Sequence, residues 1–318
     1  MTLKMMRISS VIALTAVLVA GLPQGGSAQE TPGGGTRRAL VICGLTGDAM
    51  RREAFAATVE KLYAGLTENH GFATDSISVL WSDEPTDMDG PALKASRGQP
   101  THEAIEETVG TLAKSIQPAD VLWVFVLGHG HYDGRYSWLN IPGNDLHQLE
   151  FATLFSAVRC REQVFFLTQS ASGFFIKPLA LPGRIVIAAT EPDLEVNETH
   201  FPHKLATTLA EPRPFSEMDL DRDGRLSLLD AYLWTAREVA VEYATPELLA
   251  TEHAQLDDSG DGRGSEVQAD FLPEELGGRL RASGEVPQIT TGDGALARRV
   301  FLPFPASPPA PDIDARAE

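Results

Sequence analysis

Hydrophobic residues in this chain are gathered in short continuous runs, separated by longer segments in which apolar positions recur with helical spacing. Five runs of strand length are apolar at nearly every position; they cover 38–44, 77–81, 120–127, 164–168 and 184–189. Continuous apolar strands are typical of a sheet buried on both faces, as in parallel α/β proteins. Helical spacing or helix-start residues mark 51–69, 101–116, 146–158, 174–179 and 203–209. This alternation predicts an α/β fold with a mostly parallel sheet and helices on both faces.

The rest of the sequence departs from this alternation. Segment 131–145 holds Gly- and Pro-containing turn sequences, which predict a small hairpin. Pro212 and Pro214 mark a change of composition, after which acidic, Gly-containing loops flank a helix predicted over 226–243. We therefore divide the chain into a signal peptide (1–28), a linker (29–36), an α/β domain (37–211), a small helical C-terminal appendage (212–275) and a weakly structured, Pro-rich tail (276–318).

The N-terminus has the pattern of a secretory signal peptide. Lys4 and Arg7 precede an apolar run over 11–20, and the small residues 26–28 follow as a cleavage site. The run is short for a membrane span, although an uncleaved anchor remains the alternative. No other segment of the sequence is apolar over the length that a membrane span requires. These features predict an exported protein, secreted or periplasmic, with no membrane span after cleavage.

Charge restricts the classes of partner. The formal net charge is −18, and the residues from 211 onward contribute −12 of it, with 22 Asp and Glu against 10 Lys and Arg. We expect neither nucleic acids nor anionic membrane surfaces as partners, because phosphate binding requires clustered Lys and Arg. The two cysteines, Cys43 and Cys160, lie in or beside apolar runs, which favours buried thiols over a disulfide.

Two of the apolar runs end in small, polar tips that contain Gly. The run to residue 127 is followed by Gly-His-Gly-His, which includes His129 and Gly130. The run to residue 168 is followed by Gln-Ser-Ala-Ser-Gly, which includes Ser170. Because the carboxyl ends of parallel strands gather at one edge of a sheet, neighbouring tips would bring His129 and Ser170 together. An imidazole beside a hydroxyl is an arrangement that nucleophilic catalysis uses.

The order of these motifs carries a family resemblance. A strand ending in His-Gly, then a helix, then a strand ending in nucleophile-x-Ser-Gly resembles the caspase/legumain-like cysteine peptidases, with the legumain-type (clan CD, peptidase C13-like) pattern the nearer. The resemblance covers residues 37–211, and residue 170 follows residue 129 by 41 positions. It implies a caspase-like α/β fold, with His129 as general base, residue 170 as nucleophile and the Gly130 N–H in the oxyanion site.

The chain departs from this family at the nucleophile. Ser170 stands where the family carries its catalytic Cys, and an alternative, caspase-type alignment on Gly173 places Ala171 there. A hydroxyl is a far weaker acid than a thiol, so that it needs a base oriented by a third group. No carboxylate stands out as that group, although several occupy loops at the predicted tips; these are Asp48, Asp133, Glu191 and Asp193.

Three interpretations of the site remain open from the sequence. The first is a catalytically degenerate peptidase, a pseudopeptidase that binds a peptide or protein ligand. The second is an active serine-type peptidase or hydrolase that uses Ser170 and His129, with Gly130 helping to bind the oxyanion. The third is an ordinary α/β domain with Gly and Ser at its turns for conformational reasons alone. His131 shows no set of metal-ligand partners and is expected at the surface or lining the site.

A second resemblance lies in the acidic C-terminal region. Residues 219–230 resemble an EF-hand loop, in which oxygens at positions 1, 3, 5, 7, 9 and 12 surround a calcium ion and Gly occupies position 6. The corresponding predicted ligands are Asp219, Asp221, Asp223, Arg225 through its carbonyl, Ser227 and Asp230, with Gly224 at the turn. Asp in place of Glu at position 12 predicts weaker binding. Pro212 and Pro214 oppose a full entering helix, so that the sequence resembles half an EF-hand.

Another acidic loop repeats the first half of this pattern through Asp257, Ser259, Asp261 and Gly262. Its position 12 falls on Gln268, which cannot supply a carboxylate. We expect Ca2+ as the cofactor of these loops, with a metal-free acidic turn as the alternative. A calcium-stabilised binding or scaffold protein of the cell envelope is then the competing functional class.

Overall fold

The computed structural model describes residues 34–84, 86, 89–193, 195–211, 213–244, 249–279 and 285–303. The predicted signal peptide (1–28), most of the linker and the end of the Pro-rich tail lie outside the described residues. The strands are β1 (Arg37–Cys43), β2 (Ile77–Trp81), β3 (Val121–Leu127), β4 (Gly130–Tyr132), β5 (Ser137–Leu139), β6 (Leu146–His147), β7 (Glu162–Leu167), β8 (Arg184–Ala188) and β9 (Gln255–Asp257). The helices are α1 (Ala49–Glu68), α2 (Pro91–Lys94), α3 (His102–Ser115), α4 (Gln148–Leu154), α5 (Ile176–Leu179), α6 (Phe201–Ala210), α7 (Phe215–Met218) and α8 (Leu228–Tyr243). Among these helices, none combines the length and the apolar character that crossing a membrane requires.

The central sheet has six strands in the order β2-β1-β3-β7-β8-β9. The first five run parallel, and β9 pairs antiparallel with β8. Every residue of β2, β3 and β8 is buried, as expected of strands that are covered on both sides. The predicted α/β class with a mostly parallel sheet is therefore confirmed.

Helices cover both faces of this sheet, as predicted. Successive side chains of a strand point to opposite faces. Val41 of β1 therefore belongs to the buried cluster formed with α1, α6 and α8, whereas Leu40 and Ile42 belong to the cluster formed with α3, α4 and α5. Burying an aliphatic side chain of this kind stabilises the fold by about 1.5–3 kcal/mol.

The region after residue 211 packs on the same core. Leu229 and Leu233 of α8 lie in the cluster on one face of the sheet, and Leu256 of β9 pairs with Ile187 of β8. The change of composition in the sequence therefore does not separate two hydrophobic cores. Sequence patterning missed β9 because Leu256 is its only apolar residue, and it missed α2 because this helix has only 4 residues.

The predicted hairpin is a three-stranded antiparallel sheet in the order β4-β5-β6. Its last strand uses Leu146 and His147, so that α4 begins at Gln148 and not at 146. The ring of His147 caps this helix, since its Nδ1 accepts the backbone N–H of Leu149 at 3.2 Å. The helix also ends early, at Leu154, and a 3-10 turn follows.

Neither cysteine offers a nucleophile in this fold. Cys43 and Cys160 are both free. Burial raises the pKa of the Cys43 thiol far above its ordinary range, and burial raises the pKa of the Cys160 thiol to about 11. Both side chains are therefore protonated at neutral pH, which agrees with the predicted structural thiols.

Candidate functional site

The predicted catalytic residues follow β3 and β7, which are neighbours in the sheet. Val126 of β3 pairs with Leu167 of β7, and Thr168 donates its backbone N–H to the Val126 carbonyl at 2.9 Å. Both chains then leave the sheet at the same edge. The two polar tips therefore meet there, as the order of the strands predicts.

Gly130 and Ser170 are in backbone contact at this edge. A Cβ atom at position 130 would lie 2.5 Å from the carbonyl oxygen of Ser170 and 2.8 Å from that of Trp138. Because both of these atoms belong to the backbone, they cannot move aside easily for a side chain. Packing alone therefore requires Gly at position 130, whatever part its N–H plays in chemistry.

The imidazole of His129 is directed at the loop between β1 and α1. Its Nε2 lies 3.1 Å from the carbonyl oxygen of Thr46, and its ring meets that of Phe55 edge-on, at 80°. Because a carbonyl only accepts, Nε2 of the neutral ring carries the proton and Nδ1 is left as an acceptor. The orienting group is thus a backbone carbonyl, which sequence reasoning missed because every residue has one.

Ser170 is buried, with 2% of its surface exposed. Its hydroxyl makes no hydrogen bond with any residue that the structure describes. The contact with Thr46 is likewise the only hydrogen bond of the His129 ring within the described part of the chain. The fold thus brings the two tips together without a hydrogen bond between the predicted base and the predicted nucleophile.

The alternative alignment places Ala171 at the position of the nucleophile. In the structure, the backbone of Ala171 forms a tight turn that is held by two hydrogen bonds. Its backbone is left-handed, with φ at 54°, a conformation that non-Gly residues rarely adopt. Its N–H donates to the Glu195 carbonyl at 2.9 Å, and its carbonyl accepts from the Ser137 hydroxyl at 2.8 Å. Both polar groups of its backbone are therefore already used by the protein.

Gln169 is a residue of this edge that sequence reasoning passed over. Its side chain is fully buried, and neither amide atom has a hydrogen-bond partner among the described residues. Its Cγ would lie 3.2 Å from a Cβ built at Gly130, which places the side chain beside both tips. A buried polar group without partners costs about 1–3 kcal/mol, so that such groups often mark functional positions. The only sequence signal was a polar residue directly after an apolar strand.

Two of the four carboxylates considered as a third group have other partners. Asp48 caps α1 and pairs with the Arg51 guanidinium at 2.6 Å. Asp133 accepts the indole N–H of Trp138 at 2.8 Å, and backbone N–H groups of its own turn. Neither acid forms a hydrogen bond with His129.

His131, as predicted, is a surface residue. Its ring is exposed, its Nδ1 lies 2.7 Å from the amide oxygen of Asn140, and it stacks on Trp138 with the ring centroids 6.2 Å apart. Neither group of potential metal ligands found among the described residues includes it.

The first acidic loop, residues 219–230, brings together three of its predicted ligands. Oxygens of Asp219, Asp221 and Asp223 all lie within 4.8 Å of one another. The loop is closed by backbone N–H groups, since the Asp219 carboxylate accepts from Asp223 and Gly224, each at 3.1 Å. Gly224 has φ at 82°, the left-handed conformation expected of Gly at position 6. A short entering helix, α7, precedes the loop despite the two prolines.

The last two predicted ligands of this loop are bonded to each other. The Asp230 carboxylate accepts the N–H of Ser227 at 2.9 Å and its hydroxyl at 2.8 Å, forming the capping box of α8. The same carboxylate accepts the N–H of Leu220 at 2.8 Å. Burial raises the pKa of Asp230 to about 6. Asp230 thus ties the two ends of the loop together.

The second acidic loop, residues 257–268, is completed by a distant residue. Asp257 accepts the N–H groups of Gly260 and Gly262, and Gln268 is turned away to the carbonyl of Ala254 at 2.9 Å. Asp293 brings a further carboxylate to the loop, where it accepts the backbone N–H groups of residues 258 and 259. Neither group of potential metal ligands found among the described residues includes an acid of this loop. Sequence spacing could not find Asp293, because it lies outside the loop motif.

The other group of potential metal ligands among the described residues was not predicted. Oxygens of Glu191 and Glu195 and a ring nitrogen of His253 lie within 4.8 Å of one another, and His253 is hydrogen-bonded to Glu195. This hydrogen bond raises the pKa of His253. The group borders a cavity of about 390 Å³ that also holds Glu252 and Glu266. Burial raises the pKa of Glu252 to about 7.

Comparisons with known proteins give no family for the chain. No known family profile and no curated protein matches it. Among solved structures, it is similar to the Drosophila initiator caspase Dronc, at 11% identity and a TM-score of 0.41, over 75% of this chain and 84% of that one. It is also similar to a protein from Geobacter sulfurreducens, at 13% identity and a TM-score of 0.42, over 81% of this chain and 99% of that one.

Proposed function

We propose that this protein is an exported, caspase/legumain-like pseudopeptidase, which binds a peptide or protein ligand at the edge where β3 and β7 end. The observation that carries this proposal is the environment of Ser170. Ser170 is 2% exposed as a residue, and its hydroxyl has no hydrogen bond to His129 or to any other described residue. Proton abstraction from a hydroxyl requires a base within about 2.6–3.2 Å, directly or through one water. The absence of a hydrogen bond between Ser170 and any described base supports a site without peptidase activity.

A ligand-binding role is supported by the polar groups that the fold leaves without partners. The Gln169 amide is fully buried and is unbonded within the described part of the chain. A peptide that reached this edge would offer both N–H donors and carbonyl acceptors to it. Such a ligand would recover hydrogen bonds that the unbound protein lacks. The amide thus favours a bound ligand over an edge that has only a structural role.

A serine-type hydrolase is the second candidate, and one specific observation favours it. The Thr46 carbonyl fixes the His129 ring through Nε2, which leaves Nδ1 as a potential general base. This is the orienting contact that the third member of a catalytic triad ordinarily provides. A rotation of Ser170 on ligand binding would then complete the pair.

Hydrolysis of a mixed peptide library by the mature protein distinguishes the two candidates. The native protein, Ser170→Ala and Ser170→Cys are compared, with calcium present. We expect no cleavage by the native protein or by Ser170→Ala. Cleavage by the Cys variant alone would identify an intact but disarmed site, because a thiol ionises far more readily than a hydroxyl.

Cleavage by the native protein is the result that would favour the serine-type hydrolase. Cleavage by the native protein that disappears in Ser170→Ala would establish a serine enzyme and refute the pseudopeptidase. Binding is measured in parallel with fluorescent members of the same library. The native protein should bind a subset of peptides that Gln169→Met binds more weakly.

We also propose that the first acidic loop binds Ca2+. Three carboxylates that converge within 4.8 Å, and a Gly in the left-handed conformation at the turn, support this assignment. Calcium takes oxygen ligands, and a weak site can still fill where free calcium is high, as it is outside cells. The ion would stabilise the region that packs α8 on the sheet. If the edge of the sheet binds no peptide, calcium binding supports the alternative function, a calcium-stabilised scaffold protein of the cell envelope.

A further inference from the structure

The C-terminal segment 285–303 lies across both acidic loops, although it is distant from them in sequence. At the second loop, Asp293 accepts hydrogen bonds from two backbone N–H groups. At the first loop, Nε of Arg298 lies 2.8 Å from Oδ2 of Asp221 and 3.2 Å from Oδ2 of Asp223. The segment therefore connects the two loops through one acidic and one basic side chain.

Arg298 pairs with two of the three acids that converge in the first loop. Oxygens of Asp219, Asp221 and Asp223 lie within 4.8 Å of one another, and the guanidinium bridges the carboxylates of Asp221 and Asp223. The same guanidinium is held from the other side, because its Nη1 donates to the carbonyl of Ile289 at 3.3 Å. The guanidinium thus supplies positive charge to this acidic cluster from within the chain.

The rest of the segment is anchored without the first loop's acidic triad. The Asp258 carboxylate accepts the N–H groups of Gly294 at 2.9 Å and Leu296 at 2.8 Å. Val300 is 8% exposed, and its carbonyl accepts the N–H of Leu228 at 2.8 Å. Arg298 also donates from Nη2 to the Gln288 amide oxygen at 3.2 Å. Loss of the Arg298 contact with the loop would therefore free one side chain and its partners at 288–289, and leave the segment docked.

We propose that Arg298 is an internal competitor of calcium at the first acidic loop, so that calcium binding displaces its guanidinium and loosens the segment around 288–289. This inference rests on the proposed calcium site. Calcium at the loop would be coordinated by the carboxylates of Asp221 and Asp223, which now pair with the guanidinium. Two positive groups cannot share these oxygens without strong repulsion. The loop thus exchanges an internal cation for an external one.

The first test is calcium affinity, measured by isothermal titration calorimetry on the full mature chain. Arg298→Gln removes the competing charge, so that calcium should bind about tenfold more tightly than to the native protein. Arg299→Gln is the matched control, because Arg299 is the exposed neighbour and its side chain has no hydrogen bond or ion pair with the described residues of the loop. It should leave the affinity within about twofold of native, as should Arg298→Lys if the charge is what competes.

The second test is hydrogen exchange followed by mass spectrometry. Calcium should speed the exchange of native amides near 288–289, and Arg298→Gln should show the faster exchange already without calcium. Equal calcium affinity in the native protein and Arg298→Gln would overturn the competition while leaving the calcium site in place. Absence of calcium binding in every variant would remove the calcium site itself, and the competition with it.

Discussion

The Nε2 atom of His129 lies 3.1 Å from the carbonyl oxygen of Thr46, and the residue after Thr46 decides whether this contact is possible. Gly47 has φ at 87°, and a Cβ atom built on it would lie 3.2 Å from the same Nε2. A side chain at position 47 would therefore press against the ring. The loop after β1 positions His129 through a carbonyl that accepts and a Gly that leaves room.

Gly47→Ala should displace the His129 ring and destabilise the fold. The left-handed backbone costs a non-Gly residue about 1–2 kcal/mol, and the contact with Nε2 adds to this. The Nε2–H resonance of His129 in an NMR spectrum of labelled protein should move or broaden. Gly134→Ala is the control, because Gly134 has φ at 93° but a Cβ there would meet nothing within 4 Å. It should lose similar stability and leave the His129 resonance unchanged; an unaltered resonance in Gly47→Ala would contradict the positioning role.

Gln169→Met should leave the free energy of unfolding unchanged or raise it by about 1 kcal/mol, because the buried amide has no hydrogen bonds to lose. Methionine has a similar volume and no polar group that needs a partner. The measurement is urea unfolding at neutral pH. A clear loss of stability would show that the amide is satisfied in solution, and would weaken the case for a ligand at this edge.

The matched control is Gln163→Met in β7, the same strand that leads to Gln169. The Gln163 amide is also buried, but it accepts from the Arg184 guanidinium at 2.8 Å and donates to the Val158 carbonyl at 3.2 Å. Removing it leaves a buried cation without that partner, so that this variant should lose about 2–3 kcal/mol. The two substitutions are chemically identical, and the opposite outcomes would follow from hydrogen bonding alone.

The sheet could be predicted from sequence because its strands are continuous apolar runs. β3 lies within its predicted run, and β1 and β8 each end within one residue of the end predicted for them. Short elements carry too few residues to show a period, which is why β6 and β9 were missed. His147 was assigned to a helix because its capping role depends on backbone geometry that composition does not encode.

The meeting of the two tips was likewise predictable, since strand order places Gly130 and Ser170 at one edge. The groups that decide the chemistry were not. Thr46 acts through its backbone, and Asp293 and Arg298 reach the acidic loops from a segment with no motif of its own. A contact made by a single side chain across a long stretch of chain leaves no periodic signal in one sequence.

The pH dependence of stability should include a contribution from Glu252, whose pKa burial raises from 4.5 to about 7. Between these two values, the folded protein holds the proton more tightly than the unfolded chain. Stability from this group is therefore full below about pH 4.5 and is lost as the pH rises through 7, by up to about 3 kcal/mol. Glu252→Gln should remove this loss.

Melting temperatures at pH 4.5 and pH 8 test the assignment. Relative to native, Glu252→Gln should gain stability at pH 8 and gain nothing at pH 4.5. Glu217→Gln, at an exposed glutamate of α7, should follow the native protein at both values. If the melting temperatures of Glu252→Gln and the native protein differ by the same amount at both pH values, Glu252 does not titrate between pH 4.5 and pH 8.

Calcium binding at the first acidic loop should stabilise the folded protein, whether or not the protein is an enzyme. A ligand that binds only the folded state adds RT ln(1 + [L]/Kd), which is about 2.7 kcal/mol at 100 times Kd. Calcium added to metal-free protein should therefore raise the melting temperature in a concentration-dependent way. Asp219→Ala combined with Asp223→Ala removes two of the three convergent carboxylates and should abolish the rise.

Two controls make this result specific to the loop. Glu217→Ala removes an exposed carboxylate of nearly the same position in sequence and should keep the full calcium response. Asp230→Ala tests a different role, because Asp230 bonds Ser227 and Leu220 in the absence of metal. It should lower the free energy of unfolding of the metal-free protein by about 1 kcal/mol, the usual contribution of a helix cap. Its melting temperature without calcium should fall accordingly. A native protein whose melting temperature does not change with calcium would leave the acidic loop as a turn held by its own backbone and by Arg298.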